Sequence, residues 1–158
     1  MGSFSKGWHH FCTITHHKGL VLRHCFKVGL YWQGIVHDLS KYSYTEFRVG
    51  VHYYQGDRSP NTAERADIGY STAWMHHKGR NKHHYEYWTD MRANRDATFE
   101  GKPIPTRYVV EMLCDRVAAS KVYQGSAYKD DSALNYFKLE QSAQGDLMFH
   151  PESQELLE

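Results

Sequence analysis

Little in this chain points to a disulfide scaffold, a membrane span or a polyelectrolyte partner. Only three of its 158 residues are cysteine, Cys12, Cys25 and Cys114. They are far apart and form no CxxC pair, which argues against a disulfide framework or a thiolate zinc site and suits a reducing compartment. Neither sign of charge dominates, with 19 Lys and Arg against 18 Asp and Glu. Balance of this kind marks neither a nucleic-acid polymer nor a membrane surface as partner. No run approaches the roughly 20 apolar residues of a membrane span, and the opening MGSFSKGWHHF lacks an apolar signal core. Strand-like alternation around a hairpin turn is missing too. The expectation is a cytoplasmic, all-α protein with one domain over residues 1–158. Its core would cover about 10–125, followed by a C-terminal helix and a loose tail over about 126–158. The oligomeric state, a homo-oligomer included, is left open.

What the chain does have is aromatic residues, 15% of the total with twelve tyrosines, and twelve histidines. Apolar residues recur at helical spacing from about Ile14 to Leu39, with a break expected near Gly29 or Gly34. Ser43 and Glu46 read as a capping box for a helix to about Tyr54. Helices are expected over roughly 62–78, from about Asn81 onward, over 105–124 behind Pro105, and near 130–143.

Four pieces of sequence carry chemistry. IVHDLSKYS (35–43) sets His37 beside Asp38, with Lys41 three residues on. PTRYVVEMLCDRVAASKVYQ (105–124) is apolar around most of its circumference, yet it holds Asp115 in its middle. A carboxylate buried there needs a cation or several hydrogen bonds, so it pairs with an arginine or a histidine, or ligates a metal. AWMHHKGRNKHHYEYW (73–88) places the pairs His76-His77 and His83-His84 on either side of a tight turn. Adjacent helical residues differ by about 100°, so one member of each pair would point inward. THHKGLVLRHCF sets His17 and His24 two helical turns apart on one side. His9, His10 and His150 read as stray exposed histidines.

This ordered series, His, His-Asp, His, His and a later Asp, resembles the HD-domain superfamily of metal-dependent phosphohydrolases. HDLSK is similar to the HDxxK form of its cyclic-dinucleotide phosphodiesterase branch. Still closer is the resemblance of HDLSKYSYTEF, AWMHHKGRNKHHYEYW and EMLCD to a small bacterial and phage family of unassigned function related to that superfamily, over most of residues 10–125. The resemblance implies an HD-like helical bundle with metal ligands at His17, His37, Asp38, His77, His84 and Asp115, Asp38 bridging two ions. His24 stands as fallback for His17, and His83 stays open beside His84. Lys41 matches a lysine that approaches substrate phosphate in the relatives. The later histidines are spaced differently from the phosphodiesterase branch, and its GYP signature is absent, so cyclic-dinucleotide specificity is not carried over.

A thiolate-free shell of this kind suits one or two divalent Fe, Mn, Zn, Ni or Co ions. Two ions would activate water and clamp a phosphoryl group. Lys41, Arg80 or Arg107 would stabilise charge on its oxygens. Glu111 would orient a ligand histidine, act as a base, or simply pair with Arg107. Among Tyr42, Tyr44, Tyr53, Tyr54, Trp74, Tyr85 and Trp88, a stacking wall for a nucleobase competes with core packing, and core is expected for most. The leading expectation is hydrolysis of a phosphate ester, with a nucleotide or other small phosphorylated metabolite as substrate. Oxygen activation at a di-iron centre and a non-enzymatic, metal-stabilised binding module are the alternatives.

Overall fold

The computed structural model describes residues 2–93, 99–144 and 149–158. Its first helix, α1 (Ser3–Lys27), buries a single stripe of residues, His10, Ile14, His17, Val21 and Cys25. Their spacing of three or four is the period of one helix face. Gly29, at φ 78°, turns the chain back. The short helix α2 (Tyr31–Val36) then packs against α1, where a Cβ on Gly34 would lie 3.0 Å from that of Cys25. Lys18 Nζ secures this return by donating to the carbonyls of Ile35 (2.7 Å) and His37 (2.6 Å).

After a 3-10 turn over Leu39–Tyr42, α3 (Tyr44–His52) begins at Ser43, whose Oγ accepts from the Glu46 amide. The capping box is therefore half formed. The Glu46 side chain turns inward to His76 and His77 instead of back to Ser43.

The single helix expected over 62–78 is two, α4 (Pro60–Ile68) and α5 (Thr72–Lys78), separated at Gly69 with φ 85°. The buried Glu64 carboxylate joins them by accepting from the hydroxyls of Ser71 (2.6 Å) and Thr72. The helix expected from Asn81 does not form. His84 is extended, and Tyr85–Trp88 makes only one 3-10 turn. That turn leads into an antiparallel ribbon of β1 (Thr89–Met91) and β2 (Phe99–Gly101), with Asp90 opposite Glu100. His84 and Thr89 on either side of that turn are extended, so the helical spacing of this stretch is not realised as an α-helix.

Helix α6 (Thr106–Gln124) is the central wall. One side of it joins Val21 and Cys25 of α1 through Cys114 and Ala118. On another side, Val109 and Met112 meet Ile104, Phe137 of α7 (Ser132–Gln144), and Phe149 and Leu157 beside and within α8 (Pro151–Leu157). Burying a side chain such as Phe137 stabilises by about 2–3 kcal/mol. The tail expected to hang loosely is thus docked over 149–158, where Ser153 Oγ also accepts from the Ile104 amide at 2.9 Å. Its stretch 145–148 lies outside the described residues. The fold is mostly helical, as the sequence led us to expect.

Candidate metal centre

The site is built around Asp38. It is the one non-glycine residue with positive φ (54°) among the described residues. Aspartate tolerates this left-handed conformation better than most side chains. The kink stops the chain from continuing α2 and drives the carboxylate into the interior, where Asp38 is 2% exposed.

The two carboxylate oxygens face different neighbours. Oδ2 lies 3.2 Å from His37 Nε2 and 3.7 Å from His17 Nε2. Oδ1 lies 3.2 Å from His77 Nε2 and 3.4 Å from His83 Nε2. Asp115 of α6 completes the first side, its Oδ1 2.8 Å from His17 Nε2 and 3.3 Å from His37 Nε2. His84 completes the second. Within each set, His17-His37-Asp38-Asp115 and Asp38-His77-His83-His84, one donor atom per residue falls within 4.8 Å of all the others.

Both sets fit a cation. His37 Nε2, His83 Nε2, His84 Nε2 and Asp38 Oδ1 are buried without a hydrogen-bond partner among the described residues, while Asp38 Oδ2 has the Lys41 ammonium beside it. Leaving such atoms unpaired is costly unless something coordinates them. The donors are nitrogen and oxygen only, and Cys25 and Cys114 sit apart in the α1–α6 core. These buried clusters could hold one or two metal ions.

Carboxylates outside the clusters set the imidazole orientations. Glu111 Oε1 accepts from Nδ1 of both His37 (2.9 Å) and His83 (3.1 Å), one histidine from each set. Glu46 Oε2 accepts from His77 Nδ1 at 2.8 Å, and its other oxygen takes His76 Nδ1 at 2.6 Å. An Nδ1–H held by a carboxylate fixes the tautomer that presents Nε2 to a metal. Glu111 does not line the open cavity, and with His37 and His83 it makes a third group of donors close enough to hold a metal ion.

Electrostatics follow from the same contacts. Burial works against ionisation of Asp38, yet His37, Lys41 and His77 around it hold the carboxyl well below its usual range. Burial is likewise outweighed at Asp115, by its hydrogen bonds to His17 and His37. His84 is pushed well below the ordinary histidine value by burial and by the neighbouring His83 and His77. It stays neutral, the form that ligates. Lys41 Nζ lies 2.6 Å from Asp38 Oδ2; burial opposes its charge, but Asp38 and Asp115 keep it protonated.

Above the cluster opens a cavity of about 470 Å³. His17, Lys41, His77, His83, His84 and Asp115 line its floor, and Tyr54, Trp74, Glu86, Arg116 and Tyr136 stand in its walls.

The structure thus brings His17, His37, Asp38, His77, His84, Asp115 and Lys41 together. His83 joins beside His84 because the segment is not helical, so both rings turn inward, with centroids 4.1 Å apart. On the helical side of the turn only His77 points in. Arg80 does not join: it is exposed, and its guanidinium donates to the His76 carbonyl at 3.2 Å. Arg107 is exposed over the Tyr108 ring, and His24 meets Lys121. Tyr54, Trp74 and Tyr85 reach the cavity, whereas Trp88 packs on the core and Tyr44 is exposed. Sequence reasoning missed Glu46, which it took only for a capping residue, and His10, which is buried at the cavity edge. The stripe His10-Ile14-His17-Val21 was the signal for the latter.

A family model described as a family of unknown function matches residues 6–158. The chain belongs to that family, DUF5662. No curated protein and no solved structure matches it.

Proposed function

We propose that this protein is a metal-dependent hydrolase of phosphate esters, related to the HD-domain superfamily and acting on a nucleotide or another small phosphorylated metabolite. One observation carries the reading: the two oxygens of Asp38 face two separate sets of buried donors, several of them otherwise unpaired. A carboxylate shared in this way suits a bridging ligand between two divalent ions. His17, His37 and Asp115 would hold one ion, and His77, His83 and His84 the other. Such ions supply Lewis acidity and lower the pKa of coordinated water.

The chain's own groups do the rest. Lys41, partly exposed on the cavity floor, offers an ammonium to phosphoryl oxygens once it is released from Asp38. Glu46 and Glu111 keep four imidazoles, His76 and His77 and His37 and His83, in fixed tautomers. The cavity admits a small ester while its aromatic walls limit water around it.

The test is metal content of tag-free protein by elemental analysis, wild type beside Asp38→Asn, followed by a phosphate-release screen. About two equivalents in the wild type, lost in the variant, with phosphate released from some ester, is the expected result. Iron with oxygen uptake and no phosphate release would replace the reading with an oxygenase. Folded protein that takes up no metal would leave a non-enzymatic binding module.

A further inference from the structure

Two polar atoms in residues of the cavity wall lack a hydrogen-bond partner among the described residues and lie outside the Asp38 cluster. They are Glu86 Oε2, an acceptor, and Arg116 Nε, a donor, both shielded from solvent. Arg116 is held in place from its other side. Its NH1 donates to Glu140 Oε2 at 2.8 Å, and its guanidinium carbon lies 5.0 Å from the centre of the Phe137 ring. Tyr136 stands in the same wall, 56% exposed and without a ring contact among the described residues.

A buried polar atom left unpaired is costly. An acceptor and a donor left so in one cavity are expensive as architecture and useful as a socket. Phosphate alone does not fit them, because Glu86 would repel it. A plain alkyl group would satisfy neither atom.

We propose that Glu86 and Arg116 form a recognition subsite for the non-phosphate end of the substrate. It would take a planar group with an N–H donor and an acceptor on one edge, as a nucleobase has, stacked on Tyr136. The inference rests on the phosphate-ester reading and narrows its substrate class to nucleotides.

Calorimetric binding to the full chain tests it, using ribose 5-phosphate, the adenosine, guanosine, cytidine and uridine 5′-monophosphates, and the four free nucleosides. At least one nucleotide should bind about tenfold more tightly than ribose 5-phosphate, because a site built to hydrogen-bond a group discriminates against its absence. Glu86→Met and Arg116→Lys should erase that margin and leave ribose 5-phosphate binding unchanged. Glu86→Met should also raise Tm, since it removes an unpaired buried carboxylate. Tyr136→Ala, on an exposed position, should weaken the nucleotide several-fold without affecting the fold. Ribose 5-phosphate binding as tightly as every nucleotide would overturn the subsite and spare the phosphate-ester reading. The subsite would fall equally if Glu86→Met kept the nucleotide preference. Nucleosides binding as well as nucleotides, with both lost in Glu86→Met, would uphold the subsite and remove the phosphate-ester reading.

Discussion

The His10 imidazole of α1 lies against the backbone of Gly50 in α3, in the space that a side chain there would occupy. The close approach lets the two helices meet beside the cavity, and it makes Gly50→Ala a direct clash with the ring. We expect that variant to lose about 1–3 kcal/mol, the usual cost of overpacking. In His10→Ala/Gly50→Ala the loss should be smaller than the sum of the two single losses, because the added methyl then fills space the ring has left. Urea midpoints of the four proteins check this.

His10 also predicts a pH dependence. Burial, assisted by the Lys41 charge, lowers its pKa from 6.5 to about 4. Between those values the unfolded chain holds the proton more often than the folded one. Its contribution to stability is thus fully present above pH 6.5 and is lost as pH falls toward 4. Wild type should lose on the order of 1 kcal/mol more than His10→Gln between pH 7 and pH 5. Parallel urea titrations at the two pH values would show it, and equal losses would sink the idea.

Glu111→Gln tests the link between the two donor sets. Because one Glu111 oxygen serves both His37 and His83, the substitution should weaken metal binding at both positions, by roughly 10–100-fold. Glu46→Gln should weaken only the position that uses His77. Competition with a chromophoric chelator separates the cases, and an equal effect of the two variants would contradict the assignment.

Phe149→Ala probes the docked tail. Phe149 is 5% exposed and packs against Tyr85 and Phe137. Its truncation should cost about 3–5 kcal/mol and lower Tm accordingly. A change below about 1 kcal/mol would mean that the tail contributes little.

Local chemistry was readable wherever a residue's neighbours in sequence decide its position. The break at Gly29, α6 with its half-buried Asp115, and the inward turn of only one member of the His76-His77 pair follow from helical angles and glycine conformations, whereas the choice of His77 came from the family resemblance. Nonlocal partners were not readable. Glu46 reaches His77 across 31 residues and Glu111 reaches His37 across 74, and no periodicity announces such pairs. Helical spacing over 81–88 was misleading: the segment runs through a turn and an extended His84 into a single 3-10 turn, and both His83 and His84 reach the donor set beside Asp38. Arg80 has the charge expected to stabilise phosphoryl oxygens. Its position past the end of α5 leaves it on the outside.

Asp38 must meet two demands at once, a left-handed backbone and a short carboxylate that two neighbourhoods can share. Glycine and asparagine satisfy the first demand and fail the second. Glutamate brings the charge, but it lacks aspartate's tolerance of the backbone and its side chain is one carbon too long. No single substitution preserves both, so an evolving lineage has no neutral neighbour at this position. It keeps aspartate for as long as the shared carboxylate is needed, and once that need lapses, glycine and asparagine are the replacements that relieve the backbone.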